Sequence, residues 1–390
     1  MFCYRAHPPS TRNLFHRMQL MDLWAPQSAS IGGDLDHRLG ELAARPAVFS
    51  IHLTEGEPYT GRTANLSRRF ARLLGPDRSR SRLLNLRSVA ARVEWQYTAS
   101  WLETNLLLWE VSRRYHPKNY RSLMRLRLPP YLKIGLSNPF PRCYVSTRLA
   151  GSNGVWYGPF RNHARAEQFE AQLLSLFQIR RCQEDLAPSP DHPGCIYGEM
   201  NMCLRPCQQV VGREEYASEV LRLTEFLATG GRSLAEVLTQ ARDQLSAEMR
   251  YEEAARIHRQ LEAVERVMKT ADELAAEIDR LNGVAVTRSV EAGAVELWFF
   301  LNGCWLHPVR FRVADPGCTE SLDHRLRAIA AGIAAPRLSA REREEHLALL
   351  ARWYYSSFRN GEWLRFTALE QLPYRKLVHA ISRVARDAAG

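Results

Sequence analysis

No run of about 18 apolar residues, the length that a membrane-spanning helix needs, occurs in the 390 residues of this sequence. Residues 1–46 are interrupted by Pro, Gly, Arg and Asp, so they lack the apolar segment of a secretory signal peptide. Eight cysteines are spread along the chain without an export signal, which favours reduced thiols. The sequence therefore predicts a cytoplasmic protein with no membrane partner, in which clustered cysteines bind metal.

Acidic residues are too few to balance the basic ones: 42 Asp and Glu accompany 53 Lys and Arg, a net charge of +11. A charge of this sign favours a polyanionic partner such as nucleic acid. The imbalance is greatest in residues 62–92, where nine arginines accompany one acid, Asp77. Such a run is often a solvated helix face, but the motif beside it favours a surface that binds phosphates. The candidate DNA-binding residues of this run are Arg68, Arg72, Arg78, Arg80 and Arg82.

A predicted β-hairpin precedes the arginine run. Apolar residues in 48–53 form a short strand, Glu55-Gly56-Glu57-Pro58 supplies turn residues, and Tyr59-Thr60-Gly61 begins the return strand. A basic helix then begins near Asn65. A hairpin that leads into an Arg-rich helix can place a phenol and several guanidinium groups around one phosphate. The candidate catalytic residues of this stretch are Tyr59, Arg62 and Arg69.

A remote carboxylate could complete this arrangement. Residues 93–97 alternate like a strand, Ser100 stands where a helix N-cap belongs, and an apolar helix follows with Glu103 in its first turn. An acid at this position also suits the helix dipole without any chemical role. The residues alone leave both interpretations of Glu103 open.

Four of the cysteines cluster in residues 182–207 with the spacing C-x12-C-x7-C-x3-C. Four thiolates make a closed shell that suits tetrahedral zinc or a four-iron cluster. Four unrelated buried thiols are the alternative. The cluster consists of Cys182, Cys195, Cys203 and Cys207.

Two helices are predicted after the cysteines, at residues 234–249 and 251–270. An apolar stripe runs along the second helix, and a stripe of this kind forms either a seam inside the chain or a surface for a partner. The candidate partner-binding residues are Tyr251, Ala254, Ala255, Ile257 and Leu261.

These motifs, in this order, resemble the UvrC family, in which a GIY-YIG nuclease domain is followed by a cysteine region and a UVR motif. Tyr59-Thr60-Gly61 lies ten residues after Phe49, as in the GIY-YIG signature, and Glu103 begins a segment that resembles the family's E-x-L-L-L pattern. Arg205-Pro206 lies between two cysteines as in the family's cysteine segment, and M-R-Y-E-E-A-A-R-I-H-R-Q-L resembles its UVR motif. The resemblance covers roughly residues 45–313.

The resemblance implies an α+β fold built from several regions. No segment resembles the RNase H-like nuclease or the helix-hairpin-helix units of the family, so a second active site is not expected. Helices are predicted at 321–334, 340–358 and 368–389. The predicted regions are an N-terminal extension (1–42), a GIY-YIG nuclease domain (43–125), a linker and cysteine-rich cluster region (126–230), the UVR helical hairpin (231–275), a small β segment (280–315) and a helical region (316–390).

The family gives each candidate catalytic residue a role. It implies that Tyr59 takes a proton from water, that Arg69 and Arg62 hold phosphate oxygens, and that Glu103 binds one Mg2+ or Mn2+ ion. A free phenol has a pKa of about 10, so Tyr59 would act as a base only with its anion stabilised.

Two residues depart from the family pattern, because Phe49 and Leu73 stand where the family has tyrosines. We expect these changes to slow hydrolysis without abolishing it. The resemblance also implies a 4Fe–4S cluster, with zinc as the alternative, and two partners, double-stranded damaged DNA and UvrB. The implied function is a metal-dependent endonuclease of nucleotide excision repair that makes a single incision on the 3′ side of a lesion. The alternatives are a catalytically weak or inactive adaptor for DNA and UvrB, and a nuclease for RNA or mobile DNA that does not use UvrB.

Overall fold

The computed structural model describes residues 22–32, 35–76, 84–149, 153–313, 320–334 and 339–387. Within these ranges the chain divides into two compact units. The first unit combines the described parts of residues 1–127, 282–339 and 352–390, and the second combines those of 128–281 and 340–351. No helix in the described ranges is long and apolar enough to cross a membrane.

Helices and antiparallel sheets occur in both units, which confirms the predicted α+β class. The first unit begins with a four-stranded sheet in the order β1-β4-β2-β3. Its strands are Gln27–Ser30 (β1), Ala47–Leu53 (β2), Tyr59–Thr63 (β3) and Ala90–Tyr97 (β4). Its helices are Leu35–Glu41 (α1), Leu66–Leu74 (α2), Trp101–Tyr115 (α3) and Tyr120–Leu123 (α4).

The predicted hairpin and basic helix are present as β2, β3 and α2. Strand β1 lies in residues 1–42, which the sequence predicts as a separate extension, yet it pairs with β4 at the edge of this sheet. This sheet therefore begins before residue 43, because β1 supplies its outermost strand.

Successive side chains of β2 point to opposite faces of the sheet, and one of these faces packs against α2. Phe49 lies opposite Gly61 on β3, and its buried ring packs edge-on against Phe70 of α2. A Cβ atom at position 61 would lie 3.2 Å from the Phe49 ring, so glycine gives this ring its room. The Asn65 side chain accepts a hydrogen bond from the Arg68 N–H and so begins α2 as an N-cap.

Helix α3 packs against β2 and β3. It begins where the sequence predicts, because the Ser100 side chain accepts a hydrogen bond from the Glu103 N–H. Its buried face includes Leu102, Leu106 and Val111. This packing fixes the direction in which the first turn of α3 leaves the sheet.

The second unit contains a four-stranded sheet in the order β6-β5-β7-β8 and a helical pair. Its strands are Tyr131–Ile134 (β5), Cys143–Ser146 (β6), Val155–Gly158 (β7) and Ala276–Glu277 (β8). Its helices are His163–Leu173 (α5), Ile196–Glu199 (α6), Arg213–Thr229 (α7), Arg232–Ala247 (α8) and Tyr251–Thr270 (α9). Helices α8 and α9 form the predicted hairpin.

A second sheet of the first unit has the order β11-β10-β9-β13, with β12 also paired to β10. Its strands are Asn282–Arg288 (β9), Ala294–Leu301 (β10), Cys304–Trp305 (β11), Val309–Arg312 (β12) and Glu362–Phe366 (β13). The remaining helices are Leu322–Ala331 (α10), Ala340–Tyr354 (α11) and Tyr374–Asp387 (α12). The predicted turn at Asn302-Gly303 joins β10 to β11, with both residues at positive φ.

The prediction of a helical region in residues 316–390 needs one correction, which is β13. This strand pairs with β9, a strand from a distant part of the chain. Its five residues give only a weak alternating signal, so its conformation depends on the partner strand and not on local sequence.

Candidate active site

Tyr59 and Arg69 are brought together by the hairpin and α2. Tyr59 begins β3, and Arg69 lies in the first turns of α2, where its Nη2 donates a hydrogen bond to the Tyr59 hydroxyl oxygen at 2.8 Å. Arg69 Nε is buried and has no hydrogen-bond partner in the part of the chain that the structure describes. A guanidinium on the phenol oxygen stabilises a phenolate.

A cleft of about 430 Å³ opens beside Tyr59. Arginines from three segments line it: Arg62 from β3, Arg125 after α4 and Arg352 from α11. His116, at the C-terminal end of α3, lines it as well. No carboxylate is among the described residues that line this cleft. The cleft is therefore cationic.

Arg62 and Arg352 are half-buried side chains that repel each other. The Arg62 guanidinium lies 3.9 Å from the centre of the Trp101 ring, and its Nη1 is buried without a partner among the described residues. Burial lowers the pKa of Arg62, and the charge of Arg352 lowers that pKa further. Arg352 Nη1 donates to the Met124 carbonyl oxygen, and burial lowers the pKa of Arg352. Two cations without a nearby acid favour an anionic ligand.

Glu103 is not brought to this cleft. Its Oε2 accepts a hydrogen bond from the Ala99 N–H at 2.7 Å, while its own N–H donates to Ser100 Oγ. This reciprocal arrangement resembles a capping box. The α3 residues that line the cleft, Leu108 and Ser112, lie four positions apart on one face, and Glu103 is rotated from these two positions by about 140° and about 180°.

Burial raises the pKa of Glu103 to about 7. That value of the pKa already includes the opposing hydrogen bond from the Ala99 N–H, the raising effect of the Glu296 carboxylate and the lowering effect of the Arg310 guanidinium. The local reason for this placement is the helix start itself, because a carboxylate in the first turn satisfies backbone N–H groups that α3 leaves unpaired.

The divalent ion that the family implies does not fit the cleft as these side chains lie. Glu103 is the one acid that the resemblance offers as its ligand, and its carboxylate is held at the start of α3. Across the described ranges, no group of three or more His, Cys, Asp or Glu side chains is arranged to hold a metal ion. The role of Glu103 as a metal ligand stays a prediction.

The two departures from the family pattern lie in the core. Phe49 and Leu73 are almost completely buried in the cluster between β2 and α2. Each contributes apolar packing there, and Phe49 also lies against the Tyr59 ring with the centroids 6.2 Å apart. These positions therefore stabilise the hairpin on which Tyr59 lies, and they bring no hydroxyl group to it.

The arginine run divides into several groups. Arg68 and Arg72 are exposed on α2, as a surface for phosphates requires. Arg87 donates from Nη1 to the Leu74 carbonyl oxygen, and Arg92 forms an ion pair with Glu94, so these two hold the fold together. The predicted DNA-binding residues Arg78, Arg80 and Arg82 lie outside the described residues.

The four clustered cysteines lie in one region of the second unit. Burial, together with the neighbouring thiols of Cys182, Cys195 and Cys207, raises the pKa of the Cys203 thiol to about 11, although the Arg205 N–H acts in the opposite direction. Hydrogen-bond donors already point at the sulfur atoms: Arg180 Nη1 lies 3.5 Å from Cys182 Sγ, and the Arg205 N–H lies 3.4 Å from Cys203 Sγ. None of the four forms a disulfide. Such donors would stabilise thiolates, but as the described side chains lie, the four thiols are not arranged to hold a metal ion together, and the predicted cluster stays a prediction.

Comparison with known proteins places this region in a family. The UvrC/Cho excinuclease middle domain matches residues 129–226, which contain all four cysteines. The UvrABC system protein C of Moorella thermoacetica is 28% identical over 271 residues, which are 69% of this chain and 44% of that protein. The chain is UvrC-like.

Other UvrC proteins match in the same way. The UvrABC system protein C of Lachnospira eligens is 25% identical over 274 residues, 69% of this chain and 45% of that protein. That of Rickettsia africae is 27% identical over 213 residues, 55% of this chain and 33% of that protein. This UvrC-like chain therefore spans less than half the length of these relatives. No solved structure matches it significantly.

The UVR-like hairpin of this UvrC-like chain has a buried base and an exposed tip. Val264 and Val267 of α9 are buried in the core of the second unit. Near the tip, Tyr251 is 65% exposed and Met249 is 75% exposed. Among the other candidate partner-binding residues, Ala254 is buried, Ile257 and Leu261 are half-buried and Ala255 is exposed.

Sequence reasoning missed two residues of the cleft, His116 and Arg352. His116 lies within the UvrC-like segment, but it carries no family role. Arg352 lies beyond residue 313, where the resemblance stops. No motif indicates either residue, because only the tertiary fold brings α11 and the end of α3 to β3.

Proposed function

We propose that this chain is a UvrC-like endonuclease that hydrolyses a phosphodiester bond in the cleft beside Tyr59. The observation that carries the proposal is a cationic cleft in which Arg62 Nη1 is buried without a described partner, beside a Tyr59 hydroxyl that Arg69 holds by a hydrogen bond. An unsatisfied buried donor costs about 1–3 kcal/mol. A phosphate oxygen that accepts from Arg62 would recover this free energy when the substrate binds.

The chain's own residues would perform three parts of the reaction. A water oxygen forms a bond to phosphorus, the bond to the leaving oxygen breaks, and that oxygen takes up a proton. Arg62 and Arg352 would neutralise the charge that develops on the non-bridging oxygens. Arg69 would stabilise the Tyr59 phenolate, which is the condition for Tyr59 to accept the proton from water.

The proposed Mg2+ or Mn2+ ion enters this scheme only through Glu103. To bind an ion, the Glu103 carboxylate would have to leave the Ala99 N–H. The steps above therefore involve only the side chains of the cleft and Arg69. Removal of divalent ions with EDTA tests the metal dependence separately, because the positions of Tyr59, Arg62 and Arg69 do not depend on a bound ion.

The proposed substrate is damaged double-stranded DNA, and the proposed partner is UvrB, in nucleotide excision repair. Exposed Arg68 and Arg72 on α2 support a surface that binds phosphates next to the cleft. The exposed apolar tip of the α8–α9 hairpin supports a partner surface. We expect a single cut, on the 3′ side of the lesion.

We also propose a 4Fe–4S cluster on Cys182, Cys195, Cys203 and Cys207, with zinc as the alternative. Its purpose would be structural, since the four thiols lie in the second unit and Tyr59 lies in the first. Metal analysis of the purified protein, with its visible absorbance, distinguishes an iron–sulfur cluster from zinc.

A plasmid-nicking assay tests the nuclease directly. Wild type, Arg69→Ala, Arg62→Ala and Glu103→Ala are compared on supercoiled DNA, with Mg2+ or Mn2+ or with EDTA, and on damaged DNA with UvrB. We expect Arg69→Ala to lower the rate by about a hundredfold or more. The matched control is Arg375→Ala, an exposed arginine of α12. Equal nicking by Arg69→Ala and the control would overturn the site.

One observation favours a second function, a catalytically weak or inactive adaptor for DNA and UvrB. The carboxylate that the family uses for metal is engaged at the start of α3, and two tyrosine positions are filled by Phe49 and Leu73. An adaptor would bind damaged DNA and UvrB but leave the plasmid intact under every condition of the nicking assay.

A further inference from the structure

His116 is a buried histidine with one satisfied and one unsatisfied ring nitrogen. Its Nδ1 lies 2.9 Å from Glu57 Oε2, and the His116 side chain is only 7% exposed. Its Nε2 is buried without a hydrogen-bond partner in the described ranges. The same residue lines the cleft with Tyr59 and Arg62. Buried polar atoms are almost always paired, so an unpaired nitrogen at a cleft indicates a ligand that completes it.

The contact with Glu57 fixes which ring nitrogen carries the hydrogen. An ionised carboxylate only accepts hydrogen bonds, so Nδ1 donates to Glu57 Oε2. In a neutral imidazole the other nitrogen, Nε2, then carries the lone pair. The pair therefore presents a base to the cleft, in the way that a carboxylate orients the histidine of a hydrolase triad.

We propose that His116, oriented by Glu57, is a catalytic residue of the cleft that moves the proton during phosphodiester hydrolysis. This inference rests on the proposed nuclease function. In this scheme Nε2, in place of the Tyr59 phenolate, takes the proton from water as the water oxygen bonds to phosphorus, and the bond from phosphorus to the leaving oxygen breaks. The imidazolium then returns that proton to the leaving oxygen, so the ring ends the reaction neutral.

The surroundings of His116 suit proton transfer, whereas Glu103 takes no part in it. The charged groups that line the cleft with it are Arg62, Arg125 and Arg352, and the acid in contact with it is Glu57. Arginines on the phosphate and a neutral base for water divide the two tasks of hydrolysis between different groups. The Glu103 carboxylate, in contrast, accepts from a backbone N–H away from this face.

Plasmid nicking by the full chain, under the conditions in which wild type is most active, tests the proposal. Four variants are compared: His116→Gln, His116→Ala, Glu57→Gln and Arg69→Ala. We expect His116→Gln to lower the rate by about a hundredfold or more, as loss of a general base does. Glu57→Gln should cause a smaller loss, because an amide still orients the ring. Added imidazole should restore part of the activity of His116→Ala and none of that of Arg69→Ala.

The outcomes separate this inference from the proposed function. If Arg69→Ala is inactive while His116→Gln and His116→Ala nick like wild type, the nuclease stands and the role of His116 is refuted. A loss of activity in His116→Ala that imidazole does not relieve, with an unchanged melting temperature, also refutes proton transfer. An unfolded His116→Ala would leave His116→Gln as the deciding variant. Folded His116→Gln that nicks like wild type refutes the role, and a loss of about a hundredfold or more supports it. If wild type nicks under no condition, both proposals are wrong.

Discussion

Arg352 is the cleft residue that comes from farthest along the chain. It brings a second half-buried guanidinium to the side of Arg62, and each is desolvated without a carboxylate beside it. Such a pair is unfavourable in the empty cleft and favourable when a phosphate lies between the two guanidinium groups. Binding of anions should therefore depend on both arginines.

Arg352→Gln should weaken binding of duplex DNA by about tenfold and reduce the dependence of log Kd on log salt by about one unit, because one phosphate contact is lost. The measurement is fluorescence anisotropy of a labelled duplex over a salt series. Arg375→Gln, on the exposed face of α12, is the matched control and should leave the slope unchanged. An unaltered slope for Arg352→Gln would show that Arg352 only holds the Met124 carbonyl oxygen.

Glu94 should make the stability of the protein depend on acid pH. Its buried carboxylate accepts hydrogen bonds from Tyr115 and His52 and pairs with Arg92. Burial alone would raise the pKa of Glu94, but these partners together lower it below 4.5. The ionised form is thus favoured in the folded state. Its contribution is present above about pH 4.5 and is lost as the pH falls through the folded pKa.

Glu94→Gln should lower the free energy of unfolding by roughly 1–3 kcal/mol at neutral pH. The difference from wild type should shrink in acid, because wild type loses the same interaction when Glu94 is protonated. Urea unfolding at neutral pH and at about pH 4 measures both values. A difference that stays constant across this range would contradict the assigned network.

The base of the α8–α9 hairpin contributes to stability, and its exposed tip is the proposed partner surface. Its base contributes Val267 to the core, whereas Tyr251 near its tip is exposed. Tyr251→Ala should change the free energy of unfolding by less than about 0.5 kcal/mol and should weaken capture of UvrB. Val267→Ala should cost roughly 2 kcal/mol of stability and leave capture unchanged. Pulldown of purified UvrB, with urea unfolding of each variant, measures both effects.

Helices and strands whose own residues follow an uninterrupted helix or strand pattern could be predicted from the sequence. Helix α9 has the predicted bounds because strong helix formers run through it without interruption. The hairpin that carries Tyr59 and the helix that carries Arg69 could be predicted too. β13 could not, since its pairing with β9 decides its conformation.

The same limit applies to the site. The sequence does not show in which direction the Glu103 side chain points. A carboxylate in the first turn of a helix can accept hydrogen bonds from backbone N–H groups as readily as it can bind a metal ion. His116 and Arg352 have no motif, and only tertiary packing brings them to Tyr59. The pattern therefore predicts the phenol and the nearest arginines but not the composition of the whole cleft.

At the scale of the molecule, the first unit is assembled from both ends of the chain. The Trp101 N–H donates to Asn360 Oδ1, and the Trp101 ring contacts Phe358. Strand β13 and helix α12 complete the sheet built on β9 and the core above it. The C-terminal residues are thus part of the unit that carries the candidate active site.

In a variant truncated after residue 359, the first unit should unfold while the second unit stays folded. The deletion removes Phe366, Leu377 and Ile381 from the core and leaves one edge of β9 unpaired. Limited trypsin digestion with mass spectrometry should show rapid cleavage in residues 22–127 and slow cleavage in 153–281. Protection equal to that of the full chain would contradict the dependence of the first unit on its C-terminal segment.

The interleaving of the two units has a consequence for synthesis on the ribosome. Residues 128–281 emerge with nearly all of their partners, but β1–β4 emerge long before α11 and β13. At about 5–20 residues per second, the delay is roughly 10 to 50 seconds. A cleft that needs Arg352 therefore stays incomplete until residue 352 has left the ribosome, although β3 with Arg62 emerges long before.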